Sequence, residues 1–448
     1  MHRDNKQFYK SLLAVALPIM GQNLLASSVS FLDTLMIGQL GAIEIAAVGV
    51  SNQIFFLVNL FIFGITSSAS IFLARFYGAK EYHKMEKVIA LGLCVAIGTS
   101  FLWTLASLLL PAQIMSLFTE DPLIISLGVE YQTIVAVSYM FVAITFIYSA
   151  GFRSINQARI PLYTSVVAIV LNAGGNYLLI FGIGPFPALG VAGAAIATAI
   201  SRLVEMLLLI YLTKKKKAIF AIKNKKSFYF DKDFIFSYIK ISLPVIINEM
   251  TWALGVTLYK VAYSDLGTDT LASINISESV ANFFFVASNG LGNAATIVLG
   301  QIIGTGDKEG AKYYSKISLI LAVAIGAVMG VFLFFLAPFF TNLYNVSDTI
   351  IRLTILTIYV NALYQPLKSL NMMLMVGVLR AGGDTLFVLK TELFAVWVVG
   401  VGGAFIGATW LGLPIYVVYA IVSLEEIVKP SIALVRFKKN NWIKSLAN

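Results

Sequence analysis

The sequence predicts an all-α membrane protein: twelve transmembrane helices in two six-helix lobes, related by a pseudo-two-fold axis along the membrane normal. Three observations carry that expectation. The composition is 59% hydrophobic and 12% charged, with a mean hydropathy of +0.86, whereas a soluble domain carries roughly 25% charged residues. Apolar runs of about twenty residues recur along the chain, each long enough for a roughly 30 Å hydrocarbon core. The chain also repeats itself: residues from Ser11 to about Gly182 return 226 positions later, with Leu17-Pro18 becoming Leu243-Pro244 (243 − 17 = 226). Leu40-Gly41 likewise returns as Leu266-Gly267, Ser51 as Ser277, and Gly78 as Gly304. A period near half the chain is too long for a solenoid and suits two equivalent bundles.

In order, the runs lie near 11–38, 48–74, 88–110, 124–150, 161–182 and 190–212, then 240–264, 272–300, 316–340, 351–378, 388–409 and 413–435. The first follows a brief polar arm and lacks a small-residue cleavage pattern, so it reads as a retained span. Pro18 and Pro244 are expected in the first turns of the first and seventh spans, where a missing N–H is tolerated. Gly174-Gly175, Gly182, Gly184, Gly190 and Gly193 enrich the fifth and sixth spans, and Gly400, Gly402-Gly403 and Gly407 the eleventh; small residues let helices approach closely. The Gly174-Gly175 pair, set between two asparagines, reads as a kink that forms a site. Several runs exceed the minimal span and imply tilt or protrusion. Outer-membrane strands would alternate apolar and polar residues, and these runs do not.

The expected divisions are a first lobe at 1–212, a basic linker at 213–239, a second lobe at 240–436 and a tail at 437–448. The linker holds Lys214 to Lys217 and Lys223 to Lys226 and reads as a cytoplasmic tether and hinge.

The net charge of +10 is a matter of topology. Apart from Arg352 on the opposite loops and Arg202, Lys260 and Lys368 within spans, the 32 Lys and Arg fall on alternate connections. By the positive-inside rule, both termini and the linker are cytoplasmic, in a plasma membrane of bacterial type. The basic loops attract anionic lipid at most, and no nucleic-acid partner is implied. A single cysteine, Cys94, excludes an intramolecular disulfide and a thiolate metal cluster. His2 and His83 lie in the terminal arm and a loop, leaving no histidine-based metal site or catalytic relay. No GxxxxGK[ST] phosphate loop occurs, which argues against an ATP-driven pump on this chain. The expectation is a transporter, not an enzyme, with no covalently bound cofactor.

A charge inside the bilayer costs about 2.5 to 3.5 kcal/mol on insertion scales, so each buried acid needs a reason. At 1.5 Å per residue, Asp33 lies roughly 30 Å along the first span, while Asn172 and Asn176 lie one turn apart and roughly 16 to 22 Å along the fifth. Thr198 lies roughly 12 Å down the sixth span from the outer face. One carboxylate, two amides and a hydroxyl therefore reach a similar depth, with Asp33 expected as the pocket's only carboxylate. Such a pocket holds either a proton on Asp33 or a small hard cation such as Na⁺. The plainer alternative is a helix end at the lipid interface with asparagines that bond neighbouring helices.

In the second copy Glu249 lies in the inner half of the seventh span, where the first copy has Asn23 (249 − 226 = 23). It is a candidate proton or substrate site, with Glu278 and Glu392 as further candidates. Met250 and Trp252 are candidates to line an adaptable apolar cavity. Arg202 and Glu205, three residues apart on one helix, are expected to neutralise each other, and Lys260 and Lys368 to snorkel or to pair with an acid.

Taken together, these residues resemble the multidrug and toxic compound extrusion (MATE) family. The resemblance is carried by the Leu-Pro start of each half and by the stretch Asp33 to Gly41 ending the first span. Gly151-Phe152-Arg153-Ser154, Asn172 to Gly182 and Gly377 to Asp384 complete it. It implies a V-shaped pair of six-helix lobes that export organic, often cationic, compounds by alternating access in exchange for H⁺ or Na⁺. The family's first-lobe ion site matches Asp33, Asn172, Asn176 and Thr198, although many members carry aspartate where this chain has Asn176. The tenth span, acidic in some members, here offers Asn361, Gln365 and Asn371. The implied partners are small organic substrates and the lipid bilayer, with the monomer as the working unit. The rivals are a lipid-linked oligosaccharide flippase, which calls for a strongly cationic cavity, and a channel or receptor without gradient coupling.

Overall fold

A computed structural model describes residues 4–344 and 346–444, without the side chains of 29–31. Every regular element among these residues is helical. The first half runs through α1 (Asn5–Gly38), α2 (Ala42–Gly78), α3 (Tyr82–Leu109), α4 (Pro111–Ser116), α5 (Pro122–Ala136), α6 (Ser138–Ser154), α7 (Arg159–Phe181) and α8 (Gly190–Lys215). The second runs through α9 (Lys232–Ser264), α10 (Thr268–Gly304), α11 (Lys308–Thr341) and α12 (Asp348–Met372), which continues as a π-helix to Arg380. The next span joins α13 (Thr385–Leu393) and α14 (Gly402–Phe405) through π-helical turns, and α15 (Ile415–Val422) and α16 (Glu425–Lys438) follow.

The repeat governs the helix ends: α2 and α10 both span 37 residues and begin 226 positions apart (268 − 42 = 226). It also governs hydrogen bonds. The Ser51 hydroxyl donates to the Gly128 carbonyl at 3.3 Å, and the Ser277 hydroxyl donates to the Thr354 carbonyl at 3.2 Å, each across 77 positions.

Among the described residues ten helices are long and apolar enough to cross a membrane, and α5 with α6, bent by 43°, makes an eleventh when the bent pair is counted as one span. In twelfth place, where a continuous run at 413–435 was expected, stand the two short helices α15 and α16. The second carries Glu425, Glu426 and Lys429, charges that interrupt the apolar run. Pro18 and Pro244 are interior, not first-turn, because the polar segments ahead of each apolar run are themselves helical and carry the helix start back to Asn5 and Lys232. Each proline withholds one helical N–H from a carbonyl four residues earlier.

The chain forms two compact units, Gly21–Ile235 and Met1–Met20 with Phe236–Asn448. The start of α1 thus belongs with the C-terminal half, where the Phe8 ring stacks on Tyr314 at 4.5 Å. In the first unit the basic linker is pinned in place. Phe220 is fully buried edge-on against Phe152, Ser227 donates to Glu86 at 3.2 Å, and Lys223 pairs with Glu86 at 3.4 Å. In the second unit the expected tail is packed over 437–444, its last four residues lying outside the described ones: Trp442 is fully buried against Phe437 and Gly382. Arg436 clamps Asp384 with two N–H bonds at 2.7 and 3.3 Å.

Candidate functional site: a polar cavity in each unit

In the first unit, α7 and α8 meet on small residues. A Cβ on Gly175 would lie 3.0 Å from the Ala197 methyl, and one on Gly193 only 2.5 Å from the Leu179 carbonyl oxygen. Glycine here serves close approach and not the expected kink, since α7 runs unbroken through Gly174, beside which the space is open. Asn172 and Asn176, four residues apart, share one face of α7 and are nearly fully buried.

The close contact brings the four residues of the expected ion pocket together in two pairs. The Asn176 amide donates to the Asp33 carboxylate at 2.6 Å, and the Asn172 amide donates to the Thr198 hydroxyl at 3.2 Å. A carboxylate only accepts, which fixes the orientation of the Asn176 amide. The side-chain oxygens of both asparagines are buried without a hydrogen-bond partner. Two overlapping cavities of about 330 and 350 Å³ share Asp33, Phe55, Asn59, Thr198 and Arg202 on their walls.

Asp33 is not the only carboxylate there, because Glu205 also lines the larger group of polar residues. It is held by Arg202 at 3.0 Å and by the Ser165 hydroxyl at 2.7 Å, so the i,i+3 pair expected from spacing is present. A hydrogen-bonded chain runs on from Ser165, which accepts from Gln22 at 3.0 Å; Gln22 in turn accepts from Arg153 at 2.7 Å. Glu205 is thus held in a direct ion pair, while among the described residues the side-chain donor to Asp33 is the neutral Asn176 amide.

The second unit has a smaller cavity of about 250 Å³, walled by Trp252, Phe285, Tyr263 and Tyr419 together with Glu278, Lys368, Glu425 and Glu426. Of the second-lobe candidates, Trp252 and Glu278 line it, and Met250, Glu249 and Glu392 do not. Glu249 is instead paired with the buried Arg380 at 2.6 Å. Glu278 pairs with Lys260 at 2.8 Å. Glu392 lies behind the wall, 2.9 Å from Lys429, which also approaches Glu425 at 3.5 Å. The Tyr259 hydroxyl donates to Glu425 at 2.8 Å, in space that Gly400 leaves free, since a Cβ there would collide with that hydroxyl.

Sequence reasoning missed Glu425, Glu426, Lys429 and Tyr259. A signal was present: Glu425 and Lys429 are an acid and a base four apart inside an apolar run, a helical pairing distance. Counting Lys429 as a cytoplasmic loop residue hid it; the structure buries it.

The MatE family model matches this chain twice, over residues 18–178 and 244–406, and its two starts are again 226 apart (244 − 18 = 226). The "Probable multidrug resistance protein YoeA" of Bacillus subtilis is 26% identical over 92% of this chain and 91% of its own length. The "Probable multidrug resistance protein NorM" of Thermotoga maritima is 24% identical over 97% and 93%. Among solved structures, the Vibrio cholerae MATE transporter VcmN shares the fold with a TM-score of 0.90 at 17% identity, covering 98% of both chains. The chain therefore belongs to the MATE family of membrane transporters, and its fold is theirs.

Proposed function

We propose that this chain is a multi-pass plasma-membrane antiporter that exports organic, amphipathic or cationic compounds by alternating access, in exchange for H⁺ taken up on Asp33. Both termini face the cytoplasm in this reading, and the monomer is the working unit. The observation that carries it is the bonding around Asp33. Ionised, the carboxylate accepts from Asn176; protonated, it becomes a donor, and the unpartnered oxygens of Asn172 and Asn176 supply acceptors nearby. Proton uptake thus supplies a donor that one of the two unpartnered buried oxygens lacks, where an orphaned polar group costs about 1–3 kcal/mol.

The same two oxygens favour a second reading, Na⁺ as the coupling ion. With Asp33 and the Thr198 hydroxyl they make an all-oxygen donor set of the kind hard cations take. The flippase reading is not favoured: the first cavity's Arg153 and Arg202 face Asp33 and Glu205, so it lacks the strong positive charge a lipid-linked pyrophosphate calls for. The test is ethidium transport in proteoliposomes with H⁺ and Na⁺ gradients imposed separately. The H⁺ reading expects drive from the proton gradient alone, and drive from sodium alone transfers the role to Na⁺ at the same residues.

A further inference from the structure

The basic linker of the first unit is a fastened surface, not a loose loop. Between Thr213 and Ser227 it carries seven lysines and no acid, and all seven are exposed. Only Lys223, facing Glu86 at 3.4 Å, has a carboxylate within 4.0 Å among the described residues. The first four, Lys214 to Lys217, run out of the end of the α8 span. There the Ala218 N–H donates to the Thr213 carbonyl at 3.1 Å and the Lys217 N–H to the Lys214 carbonyl at 3.0 Å, the paired bonds that close a helix on a left-handed residue, usually glycine. Here that residue is Lys217, at φ 46°. The other three lysines are tied to the start of the α3 span, where Ser227 donates to Glu86 at 3.2 Å and Lys87 donates to Asp231 at 3.4 Å. Phe220, between the two groups, is fully buried against Phe152. Both groups are therefore held at the ends of membrane spans, where headgroups lie. Beside them Tyr211, Phe228 and Tyr229 are exposed, Tyr229 by 78%, and the Lys215 ammonium lies 5.5 Å from the centre of the Tyr211 ring.

We propose that this linker is a docking surface for the anionic phospholipid headgroups of the cytoplasmic leaflet, with Lys214 to Lys217, Lys225 and Lys226 on the phosphates and Tyr211, Phe228 and Tyr229 at headgroup depth. The charges are complementary: six ammonium groups without a carboxylate partner stand where the leaflet's negative potential is strongest. The rings are of the kind that settles at the membrane interface. A bias of positive charge toward the inside asks only for basic loops and leaves their shape free. This loop is instead fixed by a buried phenylalanine and by two bonded contacts, and it places a lysine at the helix end that glycine usually takes. The proposal rests on the cytoplasmic orientation of the linker and not on the coupling ion or the exported compound.

The test is binding of fluorescent dioleoylphosphatidylglycerol to the full-length protein in dodecyl maltoside micelles, read by anisotropy. Unlabelled phosphatidylglycerol, phosphatidylcholine and inorganic phosphate serve as competitors. Phosphatidylglycerol is expected to displace the probe at least about tenfold more effectively than phosphatidylcholine, and free phosphate in large excess to displace little of it. Two variants with equal charge loss locate the effect. Changing Lys214, Lys215, Lys216 and Lys217 together to Gln is expected to weaken probe binding at least about tenfold. Changing Lys6, Lys10, Lys308 and Lys316 to Gln, also exposed, is expected to leave it within about twofold. Matched unfolding temperatures show that both variants are folded. Equal losses in the two variants overturn the proposal, because the attraction is then spread over every basic loop. So does a probe displaced equally by phosphatidylcholine, or displaced fully by inorganic phosphate, which makes the lysines a site for soluble anions. Trypsin cleavage after Lys214 to Lys217 reads the orientation separately: it is expected in inside-out vesicles and not in intact spheroplasts. Cleavage in spheroplasts would remove the cytoplasmic reading, and with it the leaflet named here, whatever the anisotropy shows.

Discussion

The Arg380 guanidinium donates to the Glu249 carboxylate at 2.6 Å, across 131 positions of sequence. In the other half of the chain Arg153 donates to the neutral Gln22 at 2.7 Å, across the same 131 positions. The contact is built twice, displaced by one residue from the 226-residue period (249 − 22 = 227 and 380 − 153 = 227), once with an acid and once with its amide. That makes Glu249 a structural counter-ion for a buried arginine and explains why it does not line the cavity.

Glu249→Gln is accordingly expected to preserve ethidium transport and to lower thermal stability only modestly, because the amide already performs this role in the first half. Glu249→Ala is expected to cost about 3–5 kcal/mol, since it leaves Arg380 buried without a partner. Thermal unfolding in detergent, read beside transport, distinguishes the two; a Glu249→Gln protein that is stable but inactive would return this residue to the proton pathway.

The α7 and α8 contact sets up a contrast between two glycines in one region. Gly193→Ala forces a methyl group against the Leu179 carbonyl and is expected to cost about 1–3 kcal/mol, the range of overpacking. It should also loosen the Asp33 and Asn176 pair and lower transport. Gly174→Ala enters open space and is expected to stay within about 0.5 kcal/mol of the parent. Equal unfolding temperatures for the two variants would contradict the close-approach account.

Trp442 tests whether the C-terminal segment is part of the second unit. Its burial against Gly382 and Phe437, with the Lys444 N–H bonded to the Gly382 carbonyl at 2.8 Å, predicts a loss of about 3–5 kcal/mol for Trp442→Ala. A free tail would show no change in the unfolding temperature.

The all-helical fold, the duplication and the similar depth of Asp33, Asn172, Asn176 and Thr198 were legible in the sequence for separable reasons. Hydropathy reports the solvent, a fixed offset reports duplication, and depth along a helix follows from its rise per residue. What was hidden depends on which side chain faces which. Nothing in the local sequence says that Phe220 and Trp442 plug back into their own units, that Arg380 claims Glu249, or that Lys429 is buried between Glu392 and Glu425. Gly174-Gly175 misled for a related reason: glycine permits either a kink or a close approach, and only the neighbouring Ala197 decides between them. The second-unit charges escaped because charge in the last apolar run reads, in one dimension, as the approach of a loop.

The central claim is that Asp33 carries the coupling charge, and the most direct measurement is gradient-driven ethidium transport by Asp33→Asn in proteoliposomes, with protein amount and unfolding temperature matched to the parent. The variant keeps the shape and an acceptor oxygen for Asn176 but cannot take up a proton. The account predicts that transport under the gradient that drives the parent falls to the protein-free background while ethidium still binds. Transport by Asp33→Asn at the parent's rate under the gradient that drives the parent would contradict it.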